Sequence, residues 1–207
     1  AFAKLATVIR SSAAGESATL LIDGTAGVGT SRFIDEAIRR VSGLQEPMTV
    51  LRGAAYGAAT DAPYEPLVRA LRPALEELSD DDLADVLGPA ADEIVRLIPG
   101  LASRVDGPRT AGPRLGTVVP ERRQPRLLEG VLGVLGRLGE RRPVLLIIED
   151  LHRADAGTRA FATFLARVQR PRRVCLIASF QPDEVTRSHP LTGELVLTEP
   201  LPSMPIG

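Results

Sequence analysis

Short continuous apolar runs alternate along the chain with stretches in which apolar residues recur every three or four positions. The apolar runs predict buried strands at Ala18 to Gly24, Met48 to Arg52, Val144 to Ile148 and Arg173 to Phe180. The spaced stretches predict helices at 32–41, 63–78, 127–138 and about 155–168, with one or two short helices within 79–98. This alternation predicts an α/β fold in which a parallel sheet carries helices on both faces.

Two further segments bear on the domain organisation. Gly100 to Gln124 is rich in Gly, Pro, Arg, Ser and Thr and has little periodicity, which predicts a mobile surface loop over residues 100–124. Glu194 to Leu197 is a candidate for a last strand. Because 207 residues suffice for one sizeable core and no strong linker divides them, we expect a single domain over residues 1–207.

Composition excludes several classes of protein. Lys+Arg 25 against Asp+Glu 26 leaves a net charge of -1, so any contact with DNA is expected only through a domain outside this chain. No apolar run approaches the roughly 20 residues of a membrane span. The single cysteine, Cys175, excludes a disulfide scaffold and agrees with a reducing, cytoplasmic setting. The only lysine is Lys4, so a site that requires a lysine elsewhere is incomplete.

The segment Gly24-Thr-Ala-Gly-Val-Gly-Thr-Ser31 fits the phosphate-loop pattern G-x-x-x-x-G-K-[ST] except at Thr30, which stands in the lysine position. Its glycines permit positive φ angles, and its amides can converge on a polyphosphate at the start of the next helix. The hydroxyl of Ser31 is placed to bind Mg²⁺. A tight turn whose glycines serve only packing is the alternative. The candidate nucleotide-binding residues are Gly24, Thr25, Ala26, Gly27, Val28, Gly29, Thr30, Ser31 and Arg32.

The strand Val144 to Ile148 is followed directly by Glu149 and Asp150, as in a Walker B element. In that role Glu149 would hold or orient hydrated Mg²⁺ beside Ser31, and Asp150 could polarise an attacking water, which makes both acids candidate catalytic residues. Which acid has which role is left open. Two carboxylates that cap the following segment are the structural alternative.

The motif Glu149-Asp-Leu-His-Arg-Ala-Asp155 resembles the E/D-D-L-H-W-A-D signature of the AAA+-related STAND NTPases, especially the large LuxR-type and MalT-like transcriptional regulators. Three other segments resemble the same family in the same order. They are the phosphate loop at 22–32, the P-Y-x-P-L-x-x-A-L box at Tyr64 to Arg72, and the sensor-strand segment Ser179 to Val185 with His189-Pro-Leu191. The resemblance covers about residues 4 to 198.

This resemblance implies a P-loop NTPase fold, a three-layer sandwich with a five-stranded parallel sheet and an extra strand between Walker A and Walker B. It implies ATP or ADP with Mg²⁺ as ligands, and a switch role in transcription regulation and signal transduction. The chain would then be a fragment of a larger regulator whose partners are fused or neighbouring regulatory domains, and a homo-oligomer is compatible with this assignment.

Three departures weaken the implied activity: Thr30 replaces the lysine, Arg153 replaces the tryptophan, and Gln181 with Pro182 alters the sensor segment. Loss of a charge-assisted phosphate contact costs roughly 1.5 to 3 kcal/mol, or about ten- to a hundredfold in affinity. The sequence therefore predicts weakened ATP binding and slow or absent hydrolysis, so whether the chain is an enzyme stays open. A nucleotide-free, degenerate NTPase that serves as a protein-interaction scaffold is the alternative, and an active ATPase has the least support.

Another cation could compensate for Thr30. Arg32 is adjacent, but its side chain is expected to point about 100° away from Ser31 on the helix. An arginine from the 104–126 region, or from a partner subunit, could act as an arginine finger does. Elsewhere, His152 either positions a loop or is a surface or capping histidine, His189 is predicted to be a turn residue, and Cys175 is predicted to be an inert core thiol.

Overall fold

The computed structural model describes residues 2–25, 27–42, 47–56, 63–105, 123–168, 173–186, 189–191 and 203–205. Within them, five strands form one sheet in the order β2-β3-β4-β1-β5, and every neighbouring pair is parallel. The strands are β1 (Ala18–Asp23), β2 (Thr49–Ala54), β3 (Val144–Glu149), β4 (Val174–Phe180) and β5 (Ser203–Pro205). The predicted parallel five-stranded sheet is confirmed.

The sheet order decides where the candidate site lies. β4 separates β1 from β3, so the loop after β1 and the acids after β3 lie on either side of the end of β4. All five strands run the same way, and their carboxyl ends therefore meet at one edge of the sheet. In open parallel sheets, ligands bind outside this edge.

Helices cover both faces of the sheet and enclose two separate cores. One core contains Leu5, Ile9, Phe33 and Ile34 from α1 and α2, packed on Leu20, Ile22, Leu145 and Ile147. The opposite core is larger and receives side chains from α3, α4, α5, α7 and α8. The helices are α1 (Phe2–Ala13), α2 (Thr30–Ser42), α3 (Glu65–Glu76), α4 (Asp80–Leu87), α5 (Ala91–Leu97), α6 (Ala102–Val105), α7 (Arg123–Arg141) and α8 (Ala156–Val168). The three-layer arrangement is thus the predicted one.

The predicted loop from Gly100 to Gln124 is wrong at both ends. Residues 100–105 continue a 3-10 turn (Pro99–Leu101) into α6, and Arg123 and Gln124 belong to α7. Leu101 is fully buried, and the Arg104 guanidinium donates hydrogen bonds to three main-chain carbonyls at the end of α3 and just beyond it, and to Asp80. Composition alone conceals these contacts. The rest of the predicted loop, 106–122, lies outside the described residues.

The two ends of the chain also differ from expectation. Helix α1 was not predicted, although Leu5 and Ile9 are four residues apart and both are buried. The candidate strand Glu194 to Leu197 lies outside the described residues, and the last described strand is β5 at Ser203–Pro205. In the part of the chain that the structure describes, no helix has the length and apolar character to cross a membrane.

Candidate nucleotide site

The candidate phosphate loop connects β1 to α2 at the carboxyl edge of the sheet. Gly27 and Gly29 have φ angles of 80° and 95°, and, chain neighbours aside, no atom of the described residues lies within 4 Å of the position that a Cβ would take on either. The N–H of Val28 donates to the carbonyl of Thr25 (3.2 Å), and that of Phe33 donates to the carbonyl of Gly29 (2.9 Å). The loop is therefore a turn that leads directly into the helix, and its exposed backbone suits close approach of a ligand.

Both ends of this loop are fixed by the sheet and the helix. Gly24 is buried, and its N–H donates to the carbonyl of Phe180 on β4 (3.3 Å). Ser31 and Arg32 are exposed in the first turn of α2, and Thr30 is half-buried. The first amides of a helix have no acceptor within it and lie at the positive end of its dipole, so this position suits a phosphate. Ala26 lies outside the described residues.

Glu149 is the last residue of β3 and is 6% exposed. Side chains alternate along a strand, and Leu145 and Ile147 pack in the α1–α2 core, so Glu149 points to the same face as α2. Asp150 follows in the left-handed region with φ 54°, and its N–H donates to the Ser179 hydroxyl on β4 (3.1 Å). The two acids therefore leave the strand in a fixed arrangement tied to the neighbouring strand.

Arg52 on β2 is the cation that the structure brings to Glu149. Its Nε donates to Glu149 Oε1 at 2.6 Å, and its second guanidinium contact, to Asp35 Oδ1 on α2, is also 2.6 Å. The hydrogen bond to Glu149 raises the pKa of Arg52 above its ordinary value, with a smaller contribution from Asp35. Asp35 lies one helical turn beyond Ser31. Arg52 and Asp35 thus link Glu149 to α2, the helix whose first turn carries Ser31.

These contacts decide how well the site fits Mg²⁺ and a nucleotide. The open glycines and the start of α2 fit a phosphate group. The carboxylate that would help hold Mg²⁺ fits only in part, because one of its oxygens already accepts a hydrogen bond from a guanidinium.

Sequence comparison identifies the family of the chain. The sequence profile of the AAA ATPase domain matches residues 1–177. The chain belongs to the AAA ATPase domain family. No curated protein matches it.

Solved structures with a similar arrangement are distant in sequence. The chain from Drosophila ORC bound to AT-rich DNA and Cdc6 is 14% identical with a TM-score of 0.47, and the alignment covers 99% of this chain and 51% of that one. This AAA ATPase domain therefore spans about half of that chain. For Drosophila ORC bound to DNA the identity is 15%, the TM-score 0.47 and the coverage 99% and 85%. For the flagellar accessory protein FlaH from Methanocaldococcus jannaschii the values are 9%, 0.35, 88% and 68%.

The segment after β3 of this AAA ATPase domain is tied to the segment after β4. His152 is buried, its Nδ1 accepts the N–H of Gln181 (3.3 Å), and its Nε2 lies 3.3 Å from the Glu184 carboxylate. Arg153 also pairs with Glu184, and His189 Nε2 lies 3.0 Å from the main-chain oxygen of His152. His152 therefore positions these segments, which was one of its two predicted roles, and His189 makes a contact that a simple turn residue would lack.

Burial lowers the pKa of His152 below its ordinary value, and the Glu184 charge opposes this in part. A buried neutral histidine takes up a proton in the unfolded chain before it does so in the folded one. Stability is therefore lost as the pH falls through the pKa of histidine in the unfolded chain, about 6.5. We expect the free energy of unfolding of the natural protein to fall more steeply between pH 7.5 and 5.5 than that of His152→Gln. Urea denaturation at several pH values measures this difference.

A slope from one proton cannot exceed about 1.4 kcal/mol per pH unit, so a larger difference between the two proteins would contradict a single-histidine origin. Equal slopes would show that His152 is protonated equally easily in the folded and unfolded chains. Thr158→Val, which removes a buried hydroxyl bonded to Asp155, is the matched control because it alters a buried polar contact without a titrating imidazole.

Cys175 and Arg52 show what sequence reasoning reached and what it missed. Cys175 is fully buried on β4, and burial raises the pKa of its thiol to about 12, which confirms an inert core cysteine. Arg52 was predicted only as the end of a strand. The sequence did contain a sign of Arg52, because a charged residue stands two positions after Val50 and therefore on the same face of the strand. Only the sheet order shows that this face of β2 lies next to Glu149 on β3.

Proposed function

We propose that this chain is the ATP-binding switch domain of a LuxR-type transcriptional regulator, with a degenerate Walker A loop and weak or absent ATP hydrolysis. The carrying observation is that the exposed glycine turn at the start of α2 and the buried Glu149 both lie at the carboxyl edge of one parallel sheet. The four family-like motifs support the regulator assignment. Contact with DNA would come only from a domain outside this chain, and fused or neighbouring domains would be its partners.

Different residues of the site would bind the phosphates and the metal ion. Backbone from Gly24 to Ser31 would hold the phosphates, and Ser31 with Glu149 would hold Mg²⁺. When bound, Mg²⁺ neutralises phosphate charge. Asp150 could orient a water, but without a lysine at Thr30 the loop supplies no fixed cation for charge that develops on the phosphates. This is why we infer ATP binding without efficient turnover.

A switch also needs a route from the nucleotide to the rest of the domain. The contact between Asp150 and Ser179 and the contacts of His152 with Gln181 and Glu184 join the ends of β3 and β4. Gly24 adds a bond from the phosphate loop to Phe180, at the same end of β4. A ligand that rearranges the loop therefore acts directly on the segment that follows β4, which is where a response would be transmitted.

The experiment is calorimetric titration of the protein with ATP and ADP, with Gly27→Asp and Gly15→Asp as a matched pair. Gly27 is exposed and Gly15 is half-buried; both have positive φ and open space at the Cβ position, but Gly15 precedes β1 at the opposite end of the strand. We expect the natural protein to bind ATP, Gly27→Asp to bind it at least about tenfold more weakly because a carboxylate repels the phosphates, and Gly15→Asp to bind it normally.

Absence of binding by a folded natural protein would instead support the nucleotide-free scaffold, which Thr30 favours. Equal losses in both aspartate variants would show that the effect comes from strain at a positive φ rather than from the loop. ATP turnover is measured in the same samples, and efficient hydrolysis would contradict a switch domain that binds ATP but hydrolyses it slowly or not at all.

A further inference from the structure

The Arg52 guanidinium is held between two elements that approach the candidate site from different sides. Glu149 fixes it from β3 and Asp35 fixes it from α2, each at 2.6 Å. The side chain itself grows from β2, the strand next to β3. Three segments therefore hold this cation in place, and both of its acidic partners are at the face where α2 packs.

The pair with Glu149 is shielded from water on one side. Glu149 keeps 8% of its side-chain exposure, whereas Arg52 keeps 37%. A charged carboxylate so deeply buried requires a partner, and Arg52 is the partner in the described part of the chain. A second cation that approaches Glu149 must either displace the guanidinium or share the carboxylate with it, and two like charges at this separation repel each other.

We propose that Arg52 is a built-in counterion for Glu149 that competes with Mg²⁺ for this carboxylate, so that Mg²⁺ adds little to nucleotide binding at this site. The inference rests on the proposed function and deepens it, because it concerns the cation of that same site. Arg52 acts as a positioning residue: it holds Glu149 and takes up the charge that a metal would otherwise neutralise.

The location of Thr30 is consistent with this arrangement. In a complete phosphate loop, a lysine and Mg²⁺ both offset phosphate charge. Here the loop has no lysine, and the acid of β3 is already neutralised from β2. The charge of Arg52 is therefore used within the protein, on Glu149 and Asp35, and a metal ion finds one fewer open carboxylate at this edge of the sheet.

The test without nucleotide uses Mn²⁺ as the probe and follows free Mn²⁺ by electron paramagnetic resonance. We expect Arg52→Gln to bind Mn²⁺ at least about tenfold more tightly than the natural protein, and Arg52→Gln with Glu149→Gln to lose this gain. Arg69→Gln is the matched control, since that guanidinium pairs with Glu65 on α3 and lies over the Tyr56 ring. It should bind Mn²⁺ as the natural protein does.

The second test compares ATP binding in Mg²⁺ and in EDTA. The ATP affinity of the natural protein should change less than about threefold between the two conditions, and that of Arg52→Gln should change at least about tenfold. Arg52→Lys keeps the charge but lacks the second donor direction, so its Mn²⁺ affinity and the Mg²⁺ dependence of its ATP binding should lie between those of the natural protein and Arg52→Gln. Circular dichroism confirms that each variant is folded.

A folded Arg52→Gln that binds Mn²⁺ no tighter than the natural protein would overturn the inference. So would a gain in Mn²⁺ binding that survives the loss of Glu149, or a natural protein whose ATP binding depends on Mg²⁺ as strongly as that of the variant. The Mn²⁺ titration contains no nucleotide, so it tests the role of Arg52 independently of ATP binding. A protein that fails to bind ATP would count against the proposed function, and the Mn²⁺ titration would still decide the role of Arg52.

Discussion

Thr30→Lys is expected to tighten ATP binding by about ten- to a hundredfold. Thr30 is the first residue of α2, between Gly29 and the exposed Ser31, where the phosphate-loop pattern places its lysine. The new ammonium would form a charge-assisted contact with the phosphates, worth roughly 1.5 to 3 kcal/mol. Titration calorimetry with ATP and with ADP measures the gain, which should be larger for ATP because the lysine of this motif reaches the β- and γ-phosphates.

Thr30→Gln is the control for this substitution. Glutamine has a long polar side chain without a charge, so it should leave ATP affinity close to that of the natural protein. Equal gains from lysine and glutamine would show that length, not charge, was missing. No gain from lysine in a folded protein would mean that phosphate does not bind at this loop, and it would favour the scaffold alternative.

The sheet could be predicted from sequence because its strands carry a signal that does not depend on distant contacts. β3 is buried at all six positions, and its first five residues form an uninterrupted apolar run; β4 is nearly the same. Such runs are typical of parallel strands covered on both faces. The resemblance to a family implied an extra strand between Walker A and Walker B, but the order of the strands in the sheet was not predicted, because nothing in an apolar run states which neighbour it pairs with.

The predictions that failed depended on long-range contacts. Residues 100–105 have the composition of a loop, yet they are helical because Leu101 enters the core and Arg104 bonds to carbonyls 26 to 29 positions earlier in the chain. Their order is a property of the tertiary structure. Turn-like composition predicts a loop only where no such partner is present.

The candidate site also has one part that the sequence could suggest and one part that depends on long-range contacts. The loop and the acids Glu149 and Asp150 form contiguous motifs, so sequence could suggest them. Arg52 is 97 positions from Glu149, and the two meet because β2 and β3 pair in a register that sets Arg52 opposite Ile147. A cation contributed by a neighbouring strand has no motif of its own, so the sequence did not suggest Arg52.

The Tyr64 to Arg72 box has a structural explanation that its resemblance to a family motif did not supply. Tyr64 precedes α3 in the left-handed region with φ 64°, and its ring lies where a Cβ on Gly157 of α8 would collide with it, at 2.5 Å. Pro66, in the first turn of α3, lies directly against Gly53 of β2. The box therefore fixes the start of α3 between β2 and α8, next to the strand that carries Arg52.

Gly53→Ala is expected to destabilise the fold by about 3 kcal/mol, near the upper end of the cost of overpacking. A Cβ at this position would lie 1.8 Å from the carbonyl oxygen of Pro66 and 2.7 Å from its carbonyl carbon. Both are main-chain atoms, so no side chain can rotate away, and β2 and α3 must separate. Urea denaturation should show the loss, and the melting temperature should fall by roughly 6 to 12 °C for a chain of this size.

Gly100→Ala is the matched control, because Gly100 has open space at the Cβ position and its substitution should change stability by no more than about 0.5 kcal/mol.

Gly53 also connects stability to the site, since it adjoins Arg52 and pairs with Ile148, next to Glu149. If β2 yields to the new methyl group, the Arg52–Glu149 bond lengthens, and Gly53→Ala should bind Mn²⁺ more tightly at temperatures where it remains folded. A variant as stable as Gly100→Ala would contradict the close approach of β2 to α3, whereas a destabilised variant with unchanged Mn²⁺ binding would show that Arg52 is held by Glu149 and Asp35 independently of that packing.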